Sequence, residues 1–547
     1  MARLFLRSSF IWGAMLISKS SASPTYTNKF SVALPIPPEL PILATYTPPS
    51  GNPVDFYEIT ITPFTKQLWP DLNATTLVGY NGMYPGPTIR ATRGREIVLR
   101  LINKGDSTAS LHLHGSATVA PFDGWASDTM VVGQFKDYYY PNFQESRTLW
   151  YHDHAHMVTA SNVQKGQAGL YILDDPAEDY GLPTGKYDIP LVLASKQYNT
   201  TGALMPTSGG DTIDVNGQLW PYLDVEPRKY RFRILNGAAS RQFQLQLYVG
   251  DTITDPVAFQ VVASDSGYMT GPVQTTSLTI SMGERYEIIV DFANYHNQTL
   301  KLRNALAGLD SETLGQAMQF RVGSNVTDDA NNENVPSSLR NITFLERPIT
   351  SSKNFTFAFT DSKWTINGET FSDVNNRVLH YVPRGTTEIW TLINGGPVVH
   401  PVHVHLVDMQ IISRTKNGIA QPIQPYEAAG LKDIIFLGNS ETIEVLAKYT
   451  PWDGLYMFHC HNLFHEDREM MAVFNVTALE GFNYTEKTRF IQPMDSRWPP
   501  KEYNGTNLTE VQDVTLPDFK SLEAYDDMDG LMDALDAFHA PSNSSRR

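Results

Sequence analysis

The sequence predicts an all-β molecule of three β-sandwich units. Three observations carry that prediction: short runs alternating apolar with polar residues, a dense supply of turn residues between them, and one pattern that recurs three times. The runs include "EIVLRLI", "KYRFRIL" and "TEIWTLI", whose β-branched residues suit a pleated, half-buried surface. With 37 Gly and 35 Pro, the chain can make the tight turns such units need. The repeat is an Asn-Gly turn, a spacer and an alternating strand closing on Asn, and it ends at Asn103, Asn236 and Asn394.

Taken from the N-terminus, Arg3 and Arg7 precede an apolar run over 10–17 and then "SKSSAS". That is the charged, apolar, small-residue order of a secretory leader, expected over residues 1–23. The first unit is expected over 24–180, closing near "DDPAEDYGLP"; the second over 181–345, closing in "NVTDDANNENVPSSLRN"; the third over 346–495. The segments just after the three repeats differ. After the first comes "LHLHG" and after the third "HPVHVH", while "RQFQLQLY" after the second has no histidine. The first and third units thus carry a site that the second lacks. Residues 496–547 form an acidic tail in which "AYDDMDGLMDALDAFHA" has helical character.

At 547 residues the chain is long enough for about three or four domains of ~150 residues. A net charge of −16 argues against nucleic-acid and anionic-membrane partners. No apolar run after the leader is long enough to span a bilayer. Eleven N-x-Ser/Thr sequons, from Asn73 to Asn543, fit a secreted glycoprotein. A secreted chain usually pairs its cysteines, so the single cysteine, Cys460, has another role or is an inert buried thiol.

Of 14 histidines, ten fall in four clusters: His112 and His114; His152 and His154; His400, His403 and His405; His459, His461 and His465. Random placement gives on the order of 0.4 His-x-His pairs, and the chain has five, so the clustering is not chance. In a strand, residues i and i+2 share a face, so each pair presents two imidazoles side by side, as shared metal ligation requires. Imidazole suits zinc, copper, iron or nickel and does not by itself name the metal. If His459, Cys460 and His461 lie on a strand, the two histidines face one side and the thiol the other, setting two metal sites back to back. Cys460 with His465, Met470 and a remote histidine such as His400 makes two imidazoles, a thiolate and a weak thioether, the ligand set of blue copper.

With these motifs in order, the sequence resembles the multicopper oxidases, and within them the fungal bilirubin oxidase and laccase-like branch. The likeness runs from "LPIPPEL" through "TPFTKQLWPDL", "FDGWASD", "FKDYYYPN", "VEPRKYRFR" and "SDSG" to "YMFHCHNLFHED". The resemblance implies three cupredoxin-like Greek-key domains and four copper ions. The type 1 ion is expected on His400, Cys460, His465 and axial Met470, with Met471 the neighbouring candidate. The type 2 ion is expected on His112 and His403, and the type 3 pair on His114, His152, His154, His405, His459 and His461. Asp123 in "FDGW" and Glu466 match the family's proton-delivery positions; the alternatives are a turn carboxylate for Asp123 and an exposed loop acid for Glu466. A coordinating thioether implies a modest potential, and hence easily oxidised phenols, aminophenols or tetrapyrroles as donors.

The implied function is secreted oxidation of a small-molecule donor such as bilirubin, coupled to reduction of dioxygen to water, by a monomer with no membrane or nucleic-acid partner. Val398 departs from the branch, whose bilirubin oxidases carry Trp two residues before the first type 1 histidine. A Val supplies no indole beside His400, which makes a laccase-like phenol-coupling oxidase the main alternative. A metallo-oxidase is a further one, lowered by the lack of a methionine-rich insert. A copper electron-transfer or storage protein is the alternative without catalysis, although a simple carrier needs only the type 1 ligands.

Overall fold

A computed structural model describes residues 22–347, 352–482 and 490–540. The leader expected over 1–23 lies outside these, apart from its last two residues. The fold is all-β, as the alternating runs predict, and the three closing strands of the repeat are its clearest organising feature. Glu96–Asn103, Lys229–Asn236 and Thr387–Asn394 are each eight residues long. Each pairs in parallel with an earlier strand, respectively Val54–Lys66, Asp188–Tyr198 and Ser352–Thr360. On its other side each is antiparallel to a later one, Gln134–Tyr140, Arg285–Asp291 and Glu441–Lys448.

The closing asparagine does the same work three times. Its side-chain oxygen accepts from the amide two residues on, at Gly105, Ala238 and Gly396, at 2.9–3.0 Å. Its amide donates to two carbonyls: Ser107 and Met130, Arg241 and Ile280, Val398 and Gly438. A buried Asn that supplies both acceptor and donors meets main-chain groups that the turn leaves unpaired, which is why the repeat ends on this residue type.

A second sheet faces each first one and repeats a parallel pair: Gly86–Thr92 with Ala168–Asp174, Tyr222–Val225 with Gln316–Val322, and Val378–Pro383 with Met471–Thr477. The middle sandwich has its own core around Phe232, Leu245 and Phe320. The first and third share one continuous core, in which Leu111 and Leu113 join Val402 and Cys460. Structure between those two sandwiches is therefore held from both sides.

The C-terminal segment is more than a solvated acidic tail. Lys501–Glu502 pairs with Gln134–Tyr140 of the first sandwich. In the helix Met528–His539, Leu531 and Leu535, four residues apart on one face, are buried, and Asp527 caps its N-terminus. Tyr525 donates to the Tyr139 carbonyl, and Lys520 reaches Glu96 at 2.7 Å. Among the described residues no helix is long and apolar enough to cross a membrane.

Candidate metal centre

Two antiparallel strand pairs bring the histidines together. Leu111–His114 pairs with Arg147–Asp153 so that His112 lies opposite His152. His400–Val404 pairs with Gly454–Cys460 so that His403 lies opposite His459. His154, His405 and His461 sit just past their strand ends, each held by its amide, to Ser110, Met457 and Pro401 respectively. The alternation expected at His459, Cys460 and His461 therefore needs only the first two to be in the strand.

Eight imidazoles, each no more than 1 % exposed, meet between the first and third sandwiches. Three groups have ligand atoms within 4.8 Å of one another: His112, His114 and His403; His114, His152 and His461; His154, His405 and His459. His112 Nε2 and His403 Nε2 are 3.3 Å apart, and His459 Nε2 lies 3.2 Å from His154 Nε2 and 3.3 Å from His405 Nε2. Two nitrogens bonded to one ion at about 2.0–2.1 Å would stand at such separations.

The opposite ring nitrogens fix the tautomers. Nδ1 of His112, His152 and His403 faces the carbonyls of Asp123, Asp153 and Asp433 at 2.5, 2.8 and 2.8 Å. A carbonyl only accepts, so these Nδ1 atoms carry the proton and Nε2 keeps its lone pair. His114 is turned round: Nε2 lies 3.1 Å from the Asp433 carboxylate, and Nδ1 faces His152 Nε2 at 3.4 Å. Burial holds the basicity of the eight well below that of free imidazole, to about 4 at His154 and about 3 at His459, so the rings stay neutral.

On the other side of the Gly454–Cys460 strand, Cys460 Sγ lies 3.3 Å from His400 Nδ1 and 3.6 Å from His465 Nδ1. His465 sits in the one-turn helix Leu463–Glu466, which starts on Asn462, whose side chain accepts from the Phe464 amide. Burial pushes the thiol pKa up, so a bound cation is needed to hold it as thiolate. Met470 is fully buried in the same core as Cys460, and its carbonyl accepts from the Cys460 amide at 3.1 Å. Met471 stands opposite His459 in the strand pairing and packs with Trp125 and Met457, on the far face from the thiol.

Both acids lie at the eight-histidine cluster. Asp123 follows the turn Ala120–Phe122; its Oδ2 is 2.7 Å from His405 Nδ1, and its Oδ1 is buried without a hydrogen-bond partner. Burial raises its pKa well above the carboxylate range. Glu466 is not an exposed loop acid: at 1 % exposure, its Oε2 is 3.0 Å from His459 Nδ1 and its Oε1 3.8 Å from His154 Nδ1. Burial lifts its pKa to about 7.

Spacing along the chain gave no sign of two further residues. Trp364, on the edge strand Lys363–Ile366, stacks on His465 with centroids 3.8 Å apart, and its edge meets His400. Asp433 touches two clustered histidines, His114 through its carboxylate and His403 through its carbonyl. Both contacts join residues remote in sequence, and no local pattern marks either residue.

Residues 64–178, 148–313 and 346–480 each match a sequence profile described as multicopper oxidase. A bilirubin oxidase from Albifimbria verrucaria is 48% identical over 499 residues, covering 88% of this chain and 86% of that protein. The chain belongs to the multicopper oxidases. Like other multicopper oxidases it is a copper-dependent oxidoreductase that uses oxygen as acceptor and draws electrons from small-molecule donors. A laccase from Bacillus subtilis is 33% identical, covering 82% of this chain and 98% of that protein. The crystal structure of a multicopper oxidase from the hyperthermophile Aquifex aeolicus covers 83% of this chain and all of that one at 28% identity and a TM-score of 0.73. The donor set fits the metal: thiolate with two imidazoles suits copper, and neutral imidazoles with free lone pairs suit it elsewhere.

Proposed function

We propose that this multicopper oxidase takes single electrons from flat, electron-rich aromatic donors of the bilirubin or phenol type and passes them inward to oxygen. The observation that carries this reading is that Cys460 Sγ clusters with His400 and His465, while the adjacent His459 and His461 rings each join other histidines on the opposite side. In this reading His400, Cys460, His465 and Met470 hold the type 1 ion and His112 and His403 the type 2 ion. The type 3 pair lies on His114, His152 and His461 on one side and His154, His405 and His459 on the other. About four copper ions per chain follow from that ligand count. Bound copper supplies the one-electron steps and the four-electron, four-proton reduction of dioxygen to two waters.

The chain's own residues do the rest. Trp364 offers the donor an indole face against His465, and Phe359, 58% exposed, extends the aromatic surface with its ring 4.9 Å from Trp364. This supplies from another strand what Val398 lacks beside His400. The Cys460 main chain carries the electron to its two neighbours. Asp123, through Oδ1, and Glu466, through one of its buried oxygens, would each hold a proton beside the clustered histidines. Export by the leader, glycosylation at exposed sequons, a monomeric state and unit boundaries near residues 180, 345 and 495 belong to the same proposal.

A phenol-coupling laccase is the second reading, favoured by Val398, which at 39% exposure presents a small aliphatic surface near His400. Steady-state oxidation of bilirubin beside 2,6-dimethoxyphenol, with oxygen uptake, separates the two. Bilirubin preference supports the first reading, weak bilirubin turnover with good phenol turnover the second, and no oxygen uptake with either donor contradicts both. Trp364→Ala should raise KM for the preferred donor about two- to tenfold, the worth of one aromatic stack. An unchanged KM would remove Trp364 from the donor site.

A further inference from the structure

The middle sandwich contributes no histidine to the centre, yet one of its side chains reaches it. Arg285 is 0% exposed, and all five of its guanidinium N–H groups have an acceptor. Nε donates to the Thr148 carbonyl of the first sandwich at 2.9 Å. Within its own sandwich, Nη1 donates to the Gly283 carbonyl at 3.2 Å and Nη2 to the Asp265 carbonyl at 3.1 Å. The remaining two bonds are a fork onto Asp433 of the third sandwich, Nη1 to Oδ1 and Nη2 to Oδ2, both 2.6 Å. One side chain thus ties all three sandwiches together at the carboxylate that faces His114.

Two glycines make room for this arrangement. A Cβ on Gly115, at φ +89°, would stand 2.6 Å from both Arg285 Nη2 and Asp433 Oδ2. A Cβ on Gly283, at φ +82°, would stand 2.4 Å from Ile434 Cδ1 and 3.1 Å from the His461 ring. The loop leading into Arg285 and the residue after His114 are both stripped of side chain where the pair meets the histidines.

We propose that Arg285 is a positioning residue for the histidine cluster: by clamping Asp433 it holds His114 with Nδ1 toward its neighbours and His403 with Nε2 toward His112. The carboxylate needs a fixed rotamer to accept from His114 Nε2, and the fork provides it. Beside the fork, the Asp433 amide donates to Asp265 Oδ2 at 3.3 Å, and the Asp433 carbonyl accepts from His403 Nδ1. The middle sandwich therefore shapes the centre without ligating it. This inference rests on the reading of His114 and His403 as copper ligands.

The test is a comparison of copper-loaded wild type with Arg285→Met, Arg285→Lys and Asp433→Asn. It reads copper per chain, the electron paramagnetic resonance spectrum and the chelator concentration that strips the metal. The blue absorption of the Cys460 site, which Arg285 does not touch, reports that the protein has folded. The expected result for Arg285→Met is a retained blue band, an altered type 2 resonance and about 10- to 100-fold easier copper loss from the cluster, with partial recovery in Arg285→Lys. If Arg285→Met does not fold, the near-isosteric Asp433→Asn must show the same shift. A blue variant with wild-type copper content, resonance and chelator resistance overturns the inference. Wild-type protein holding only the blue copper would overturn the ligand reading and this inference with it.

Discussion

In the proposed centre, burial divides the residues into groups that would hold metal and groups that would hold protons. It keeps the imidazoles neutral and so able to ligate, and it pushes the Asp123 and Glu466 carboxyls toward their protonated forms. Asp123 combines that burial with a 2.7 Å contact to His405 and an unpartnered oxygen. Asp123→Asn preserves the shape and removes the acid. In anaerobic bleaching followed by addition of oxygen, the variant should lose its blue colour to donor at the wild-type rate. Recovery of colour should then slow by about a hundredfold or more, the scale of a general acid. Wild-type recovery would leave Asp123 as a turn carboxylate.

Among the elements, the three strands closing on Asn103, Asn236 and Asn394 explain why the sandwiches look alike. Asn236→Ala would strip the partners from the Ala238 amide and the Arg241 and Ile280 carbonyls in a buried turn. The expected cost is about 2–4 kcal/mol, read as a lower thermal transition. A cost below about 0.5 kcal/mol would mean that water replaces the side chain there.

These strands were legible because everything that defines them is local: alternation, a turn and one closing Asn. The His-x-His pairs were legible for the same reason, since a spacing of two in a strand already implies a shared face. Trp364 on His465 and the Arg285 fork onto Asp433 were not, because they join residues about a hundred or more positions apart that no period connects. The burial of Glu466 depended on a one-turn helix folding back beneath the cluster. The packing of the C-terminal segment was hidden by its acidic composition, which masked Leu531 and Leu535 on one helical face.

At the scale of the whole molecule, the continuous core shared by the first and third sandwiches forms the walls of the histidine cluster, and the middle one supplies a brace. The Gly454–Cys460 strand runs through that shared core with the thiol on one face and His459 on the other, so in the proposed reading donor oxidation and oxygen reduction would be joined by a few covalent bonds. That junction is the central claim, and copper analysis of wild type beside Cys460→Ser, with absorption spectra, tests it most directly. Wild type should hold about four coppers and show a blue band. The variant should hold about one copper fewer, with no blue band and no donor oxidation, while its eight-histidine cluster stays loaded. A variant that stays blue, or one that oxidises donor at the wild-type rate, would contradict it.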